Sequence, residues 1–154
     1  MSQLENQIEE LFVAANIKFE RQKNIPLNDW PWRVPRSHRP KCDFYLPQGD
    51  IYVEVKGLMT IYAMAKMSWL CRQNNIRYYI LQGTEGDWTP SLNSPVAPVE
   101  GYVKDDQQIQ QQVKELAWLT KNQTSSPSKL SLARLKHYIG VRVEEYRKWN
   151  GEWY

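Results

Sequence analysis

The sequence predicts an α/β fold, α+β in detail: a mixed sheet flanked by helices, with extra helices at the C-terminal end. Three observations predict it. The N-terminal segment carries apolar residues at helical spacing. Residues 41–57 form two arms rich in aromatic and β-branched residues, joined at Pro47-Gln48-Gly49-Asp50. An apolar helical run at 60–74 is followed by a strand-like run at 76–81. The order is therefore helix, strand, hairpin, helix, strand. With 154 residues the chain reads as a single domain over 1–154, long enough to bury one sizeable core.

In residues 3–15, Leu4, Ile8, Leu11, Phe12 and Ala15 make one stripe. Glu5 falls on the edge of that stripe next to Phe12. Glu9 lies further round, and Glu10 faces away. Glu5 is the acid best placed to look into a site, with Glu9 in reserve. An acidic first turn favoured by the helix dipole explains either residue equally well. Ser2 is a candidate N-cap. Residues 17–22 predict the first strand.

Residues 23–41 contain Pro26, Pro31, Pro35 and Pro40, which argues against regular structure. Trp30, Trp32, Arg33, Arg36, His38 and Arg39 interleave aromatic and basic character. That suits a loop gripping a phosphate backbone. The plainer alternative is a solvated loop whose Trp residues pack on the core. His38 has no second His at ligand spacing, so it reads as a phosphate or surface contact and not as a metal ligand.

The hairpin carries the chemistry. In 51–56, Ile51, Val53 and Val55 point to one face, and Tyr52, Glu54 and Lys56 to the other. With Gln48 and Gly49 central in the turn, residue 46 faces 51 and residue 43 faces 54. Asp43 and Glu54 then become cross-strand partners with β-carbons roughly 4.5–5.5 Å apart. Two carboxylates so placed repel, and a divalent cation between them removes the conflict. Lys56 adds positive charge where an attacking water and a phosphate would sit. A longer turn or a bulge would move the pair.

At these residues the chain resembles the PD-(D/E)xK nuclease superfamily, whose signature is an Asp on one strand and Glu-x-Lys on the next. Here it reads Asp43 … Glu54-Val55-Lys56, with Gly57 following. The usual Pro before the Asp is absent, and Pro40 stands three residues earlier. The first helix resembles those of archaeal Holliday-junction resolvases and related phage and homing nucleases, with Asn16 at the usual Gly turn position. The resemblance covers about 2–82 and implies a restriction-endonuclease-like αβββαβ core. It implies a metal held by Asp43, Glu54 and the Val55 carbonyl, Mg²⁺ with Mn²⁺ as a substitute. Lys56 would position the attacking water, and Glu5 would orient water or a second metal. It also implies double-stranded DNA as the partner and a homodimer or homotetramer.

Beyond the hairpin, the run at 60–74 has no clearly polar face, so it is largely buried. Lys66 interrupts it, either as a basic residue near the site or as a snorkelling side chain. Residues 83–104, rich in Gly and Pro, predict a long loop. Residues 105–121 and 128–149 predict helices separated by a break at 122–129. This C-terminal region, 105–154, either completes the core, pairs subunits or touches DNA; packing on the core is the leading use.

Composition bounds the rest. Hydrophobic residues are 42% and charged residues 24%, as in ordinary globular chains. The net charge of +3 permits nucleic-acid binding without requiring it. Two widely spaced cysteines indicate neither a zinc site nor a disulfide framework. With no secretory signal or membrane span visible, the expectation is a cytoplasmic, nucleoid-associated protein that is not secreted.

The function expected is that of an Mg²⁺-dependent, site-specific DNA endonuclease, of the homing type carried by introns or mobile elements. A Holliday-junction resolvase or a restriction or repair nuclease is the alternative within the same chemistry. Outside it stand two others: a DNA-binding module without catalysis, and an acidic hairpin with no metal.

Overall fold

A computed structural model of the chain describes residues 3–27, 40–57, 61–83 and 106–139. Among the described residues eight elements follow one another: α1 (Gln3–Ala14), β1 (Glu20–Arg21), β2 (Phe44–Leu46), β3 (Ile51–Lys56), α2 (Ile61–Cys71), β4 (Arg77–Gln82), α3 (Asp106–Lys121) and α4 (Pro127–Ile139). The fold is mixed α+β, with a four-stranded sheet ordered β1-β2-β3-β4. The β1–β2 and β2–β3 pairs are antiparallel and β3–β4 is parallel. A parallel pair needs a long crossover, and α2 supplies it.

Apolar cores lie on both faces of the sheet. Leu4, Ile8 and Phe12 of α1 and Ile109, Val113, Leu116 and Leu119 of α3 pack with Phe44, Leu46, Ile51, Val53 and Val55. Ala63, Met67, Leu70 and Cys71 of α2 and Leu135 of α4 pack with Tyr52, Tyr78 and Ile80. The alternation expected in β3 is the one that divides these cores. Helices α3 and α4 pack on the sheet in their described part; the expected extension over 140–149 lies outside the described residues.

Helix α1 ends as its sequence asks. Ile17 N–H donates to Phe12 O at 2.9 Å and Asn16 N–H to Val13 O at 3.1 Å. Asn16 itself has φ 58°. This is the Schellman arrangement, in which Asn is the common substitute for Gly. The first strand is shorter than the expected 17–22. Ile17 turns into the core and Gln22 has φ 55°, so the described pairing with β2 covers only Glu20 and Arg21.

In the hairpin, Leu46 faces Ile51, Tyr45 faces Tyr52 and Phe44 faces Val53, the register expected from the turn. The left-handed residue of the turn is Asp50, at φ 51°, and not Gly49. Gly49 answers a different demand: a Cβ there would lie 2.8 Å from Thr120 Cα at the end of α3. Arg77 ties the same corner together. Its guanidinium donates to Gly49 O, to Leu119 O at 3.2 Å and to Ser125 O at 3.2 Å.

β4 is the last strand of the sheet, and side chains cover its outer edge. Tyr78 N–H donates to Ser128 Oγ at 2.9 Å, and that hydroxyl donates to Ile76 O at 3.0 Å. Ile80 N–H donates to Ser131 Oγ at 2.9 Å. Gln112 serves both backbone groups of Gln82: its Oε1 accepts from the N–H at 2.9 Å and its Nε2 donates to the carbonyl at 2.8 Å. Every second residue of the strand offers its backbone to this edge, and two helices answer with side chains where a fifth strand would otherwise pair.

Candidate functional site

The site lies where the β2–β3 ladder ends while β3 runs on beside β4. Beyond the Phe44↔Val53 pair the expected Asp43–Glu54 pairing does not continue. Asp43 N–H donates to Val53 O at 3.0 Å, so two residues of one chain segment stand against one of the other, as in a β-bulge. The Asp43 carboxylate then occupies the next ladder position: Oδ2 accepts the Val55 N–H at 2.7 Å. Asp43 is thus no direct cross-strand partner of Glu54, although each still raises or feels the other's charge. The change of register is visible in Cys42: it is buried with the α2-side core, whereas strict alternation from Phe44 would put it on the face of Phe44.

Glu54 and Lys56 share the sheet face opposite Val53 and Val55. Their charged ends are 3.8 Å apart, with side chains 18% and 32% exposed. The Glu54 carboxyl is pushed up to about 7, chiefly by burial and also by Asp43, against the opposing pull of Lys56 and Lys66. Burial likewise raises Asp43 to about 6, and a hydrogen bond with Glu5 adds to the rise against the opposing Val55 N–H and Lys56 charge.

Of the two acids of α1 considered from the sequence, Glu5 therefore meets the site. Glu9 is engaged elsewhere, 3.4 Å from Arg21, and Glu10 is exposed. Lys66 is half-buried, its ammonium pushed below the usual range by burial with Glu54 acting against that. It lines a cavity of about 120 Å³ together with Glu54, Lys56 and Lys41. Trp30, Trp32, Arg33, Arg36, His38 and Arg39 lie outside the described residues.

Two residues beyond the expected set belong to this end of the sheet. Lys41 lines the cavity; its place two residues before Asp43 at the end of a basic segment was the available signal. Gln82 is the parallel neighbour of Lys56. Its signal was a polar residue closing a strand that runs through Tyr78, Tyr79, Ile80 and Leu81. The cysteines take no part: burial raises Cys42 to about 11 and Cys71 to about 12, which leaves both thiols protonated and inert.

Among the described residues no three His, Cys, Asp or Glu side chains gather into a ready metal cage. A hard cation of the Mg²⁺ type asks for less: one or two carboxylates, water and substrate oxygens. The chain offers Asp43 and Glu54, whose carboxyls are pushed above the usual range first by burial and then by neighbouring negative charge. The Val55 carbonyl lies on the Asp43 edge of β3, since a strand residue directs both backbone groups to one side and its N–H meets Asp43. Lys56 O turns the other way, accepting from Gly83 N–H at 2.9 Å. This donor set fits such an ion.

Comparisons with protein-family models, with curated proteins and with solved structures find no match to this chain. No helix among the described residues is long and apolar enough to cross a membrane.

Proposed function

We propose that the chain is a metal-dependent endodeoxyribonuclease with a restriction-endonuclease-like core, cutting double-stranded DNA at specific sites. The observation that carries this reading is the grouping of Asp43, Glu54 and Lys56 at one strand end, with the Glu5 carboxyl close enough to Asp43 to raise it. Repelling carboxyls beside an ammonium are costly for a purely structural role. They suit a site that takes a divalent cation and a phosphodiester.

In this reading Asp43, Glu54 and the Val55 carbonyl hold Mg²⁺, or Mn²⁺ in its place. The bound ion would lower the pKa of a coordinated water and draw charge from the phosphate. Lys56 keeps its ammonium next to Glu54 and is free to turn toward a phosphate oxygen, where it would stabilise developing charge. Glu5 stands beside Asp43 and would orient water or a second metal. Lys41 and Lys66 line the adjoining cavity and supply attraction for the backbone on either side of the cut. A homodimer or homotetramer would bring a second such site to the other strand.

Within this chemistry a homing role is proposed ahead of a junction resolvase. The chain is only mildly basic and has helices beyond the core, which suits reading a long target. The test is cleavage with Mg²⁺ of random linear duplexes and of a four-way junction, each with the Lys56→Ala control. Cutting of rare linear sequences at fixed positions supports the homing role. Cutting confined to the junction makes the chain a resolvase. Binding of both without cutting by the wild-type chain sinks the catalytic reading and leaves a DNA-binding module.

A further inference from the structure

Gln82 closes β4 and is 3% exposed. Neither its side-chain Nε2 nor its Oε1 has a hydrogen-bond partner among the described residues. A buried carboxamide left unpaired is costly and calls for an explanation. Its backbone leaves no freedom to escape, because Gln112 holds both the N–H and the carbonyl. Strand alternation puts Gln82 on the face of Tyr78 and Ile80, which is the face of Tyr52, Glu54 and Lys56. Parallel register makes it the direct neighbour of Lys56, one strand spacing away, roughly 4.8 Å.

The chemistry of the pair is complementary. An ammonium only donates, whereas a carboxamide both donates and accepts. Gln82 Oε1 is the acceptor within reach of Lys56 when that residue leaves Glu54, and the two N–H groups of Nε2 then remain for a ligand. We propose that Gln82 is a ligand-binding residue of this site, its Nε2 donating to an anionic oxygen of the phosphate class held beside Lys56. The proposal rests on the nuclease reading only in taking that phosphate to belong to a phosphodiester.

The test separates the two. The side-chain NH₂ resonances of Gln82 are identified by their loss in Gln82→Met or Gln82→Glu. Titration of the wild-type chain with inorganic phosphate is expected to move them. Gln82→Met, of similar volume, is expected to bind phosphate about tenfold more weakly, a loss of about 1.4 kcal/mol. Gln82→Glu is expected to lose binding at alkaline pH. Resonances that stay still while phosphate saturates overturn the proposal. So do equal affinities in wild-type and Gln82→Met chains, or no phosphate binding at all. Phosphate bound through Gln82 without cleavage of any duplex retains this site and removes the nuclease. Equal cleavage by wild-type and Gln82→Met chains does the reverse.

Discussion

The Asp43 carboxylate accepts the backbone N–H of Val55 at 2.7 Å, taking the place of a missing ladder bond. One contact thus stabilises the bulge and carries an acid to the end of β3. That dual use makes Asp43 the most informative residue to change. Asp43→Asn keeps an acceptor for Val55 and removes the charge. Cleavage is expected to fall at least about a hundredfold, while neutral-pH stability stays level or rises. A melting curve and a cleavage rate on the same preparation check both; a cleavage rate unchanged by the substitution would exclude Asp43 from the site.

Stability should depend on pH with a definite sign. Asp43 and Glu54 have folded values of about 6 and about 7, above their ordinary 3.8 and 4.5. Between those limits the folded chain holds more protons than the unfolded one. Stabilisation from these groups is full below about pH 4 and is lost as pH rises through the folded values. The loss is roughly 1–3 kcal/mol per carboxyl. In denaturant titrations Glu54→Gln should flatten the slope between these pH values; an unchanged slope would show that Glu54 is not the group responsible.

Divalent cations should reverse that loss. Mg²⁺ at about a hundred times its dissociation constant adds about 2.7 kcal/mol. The thermal shift is expected at pH 8, to vanish near pH 5 where Asp43 and Glu54 are protonated, and to be absent in Asp43→Asn. A shift of equal size in that variant would place the ion elsewhere.

The covered edge of β4 gives a prediction independent of function. Ser131 is fully buried and receives Ile80 N–H. Ser131→Ala leaves that N–H unpaired and should cost about 1–3 kcal/mol. Lys129→Ala, on an exposed position of the same helix, should change stability by less than about 0.5 kcal/mol. Chemical denaturation of both decides it.

Gly49→Ala tests the hairpin corner. The added methyl meets Thr120 Cα, a backbone atom that cannot swing aside. A loss of about 1–3 kcal/mol is expected. Asp50→Gly, which relieves a left-handed φ but removes the carboxylate that accepts from Tyr45 Oη at 2.7 Å, should change stability much less.

Local patterning determined much of this protein. Helical spacing located α1, whose buried residues Leu4, Ile8 and Phe12 lie on the expected stripe. Alternation located β3 to the residue, because a side chain's face follows from its parity alone. The turn chemistry set the register of Leu46 against Ile51. The same local reasoning brought Asp43, Glu54 and Lys56 to one strand end and ranked Glu5 ahead of Glu9. Tertiary structure decided the rest. The bulge at Asp43, with Cys42 buried in the α2-side core, is a change of register that pairing rules for an ideal hairpin do not contain. The meeting of Glu5 with Asp43 depends on how α1 packs across the sheet. Gln112 reaches Gln82 across 30 residues, and Ser128 and Ser131 reach Tyr78 and Ile80 across about 50. A residue's own neighbours set its backbone and its face; which distant groups share its hydrogen bonds is set only when the layers close.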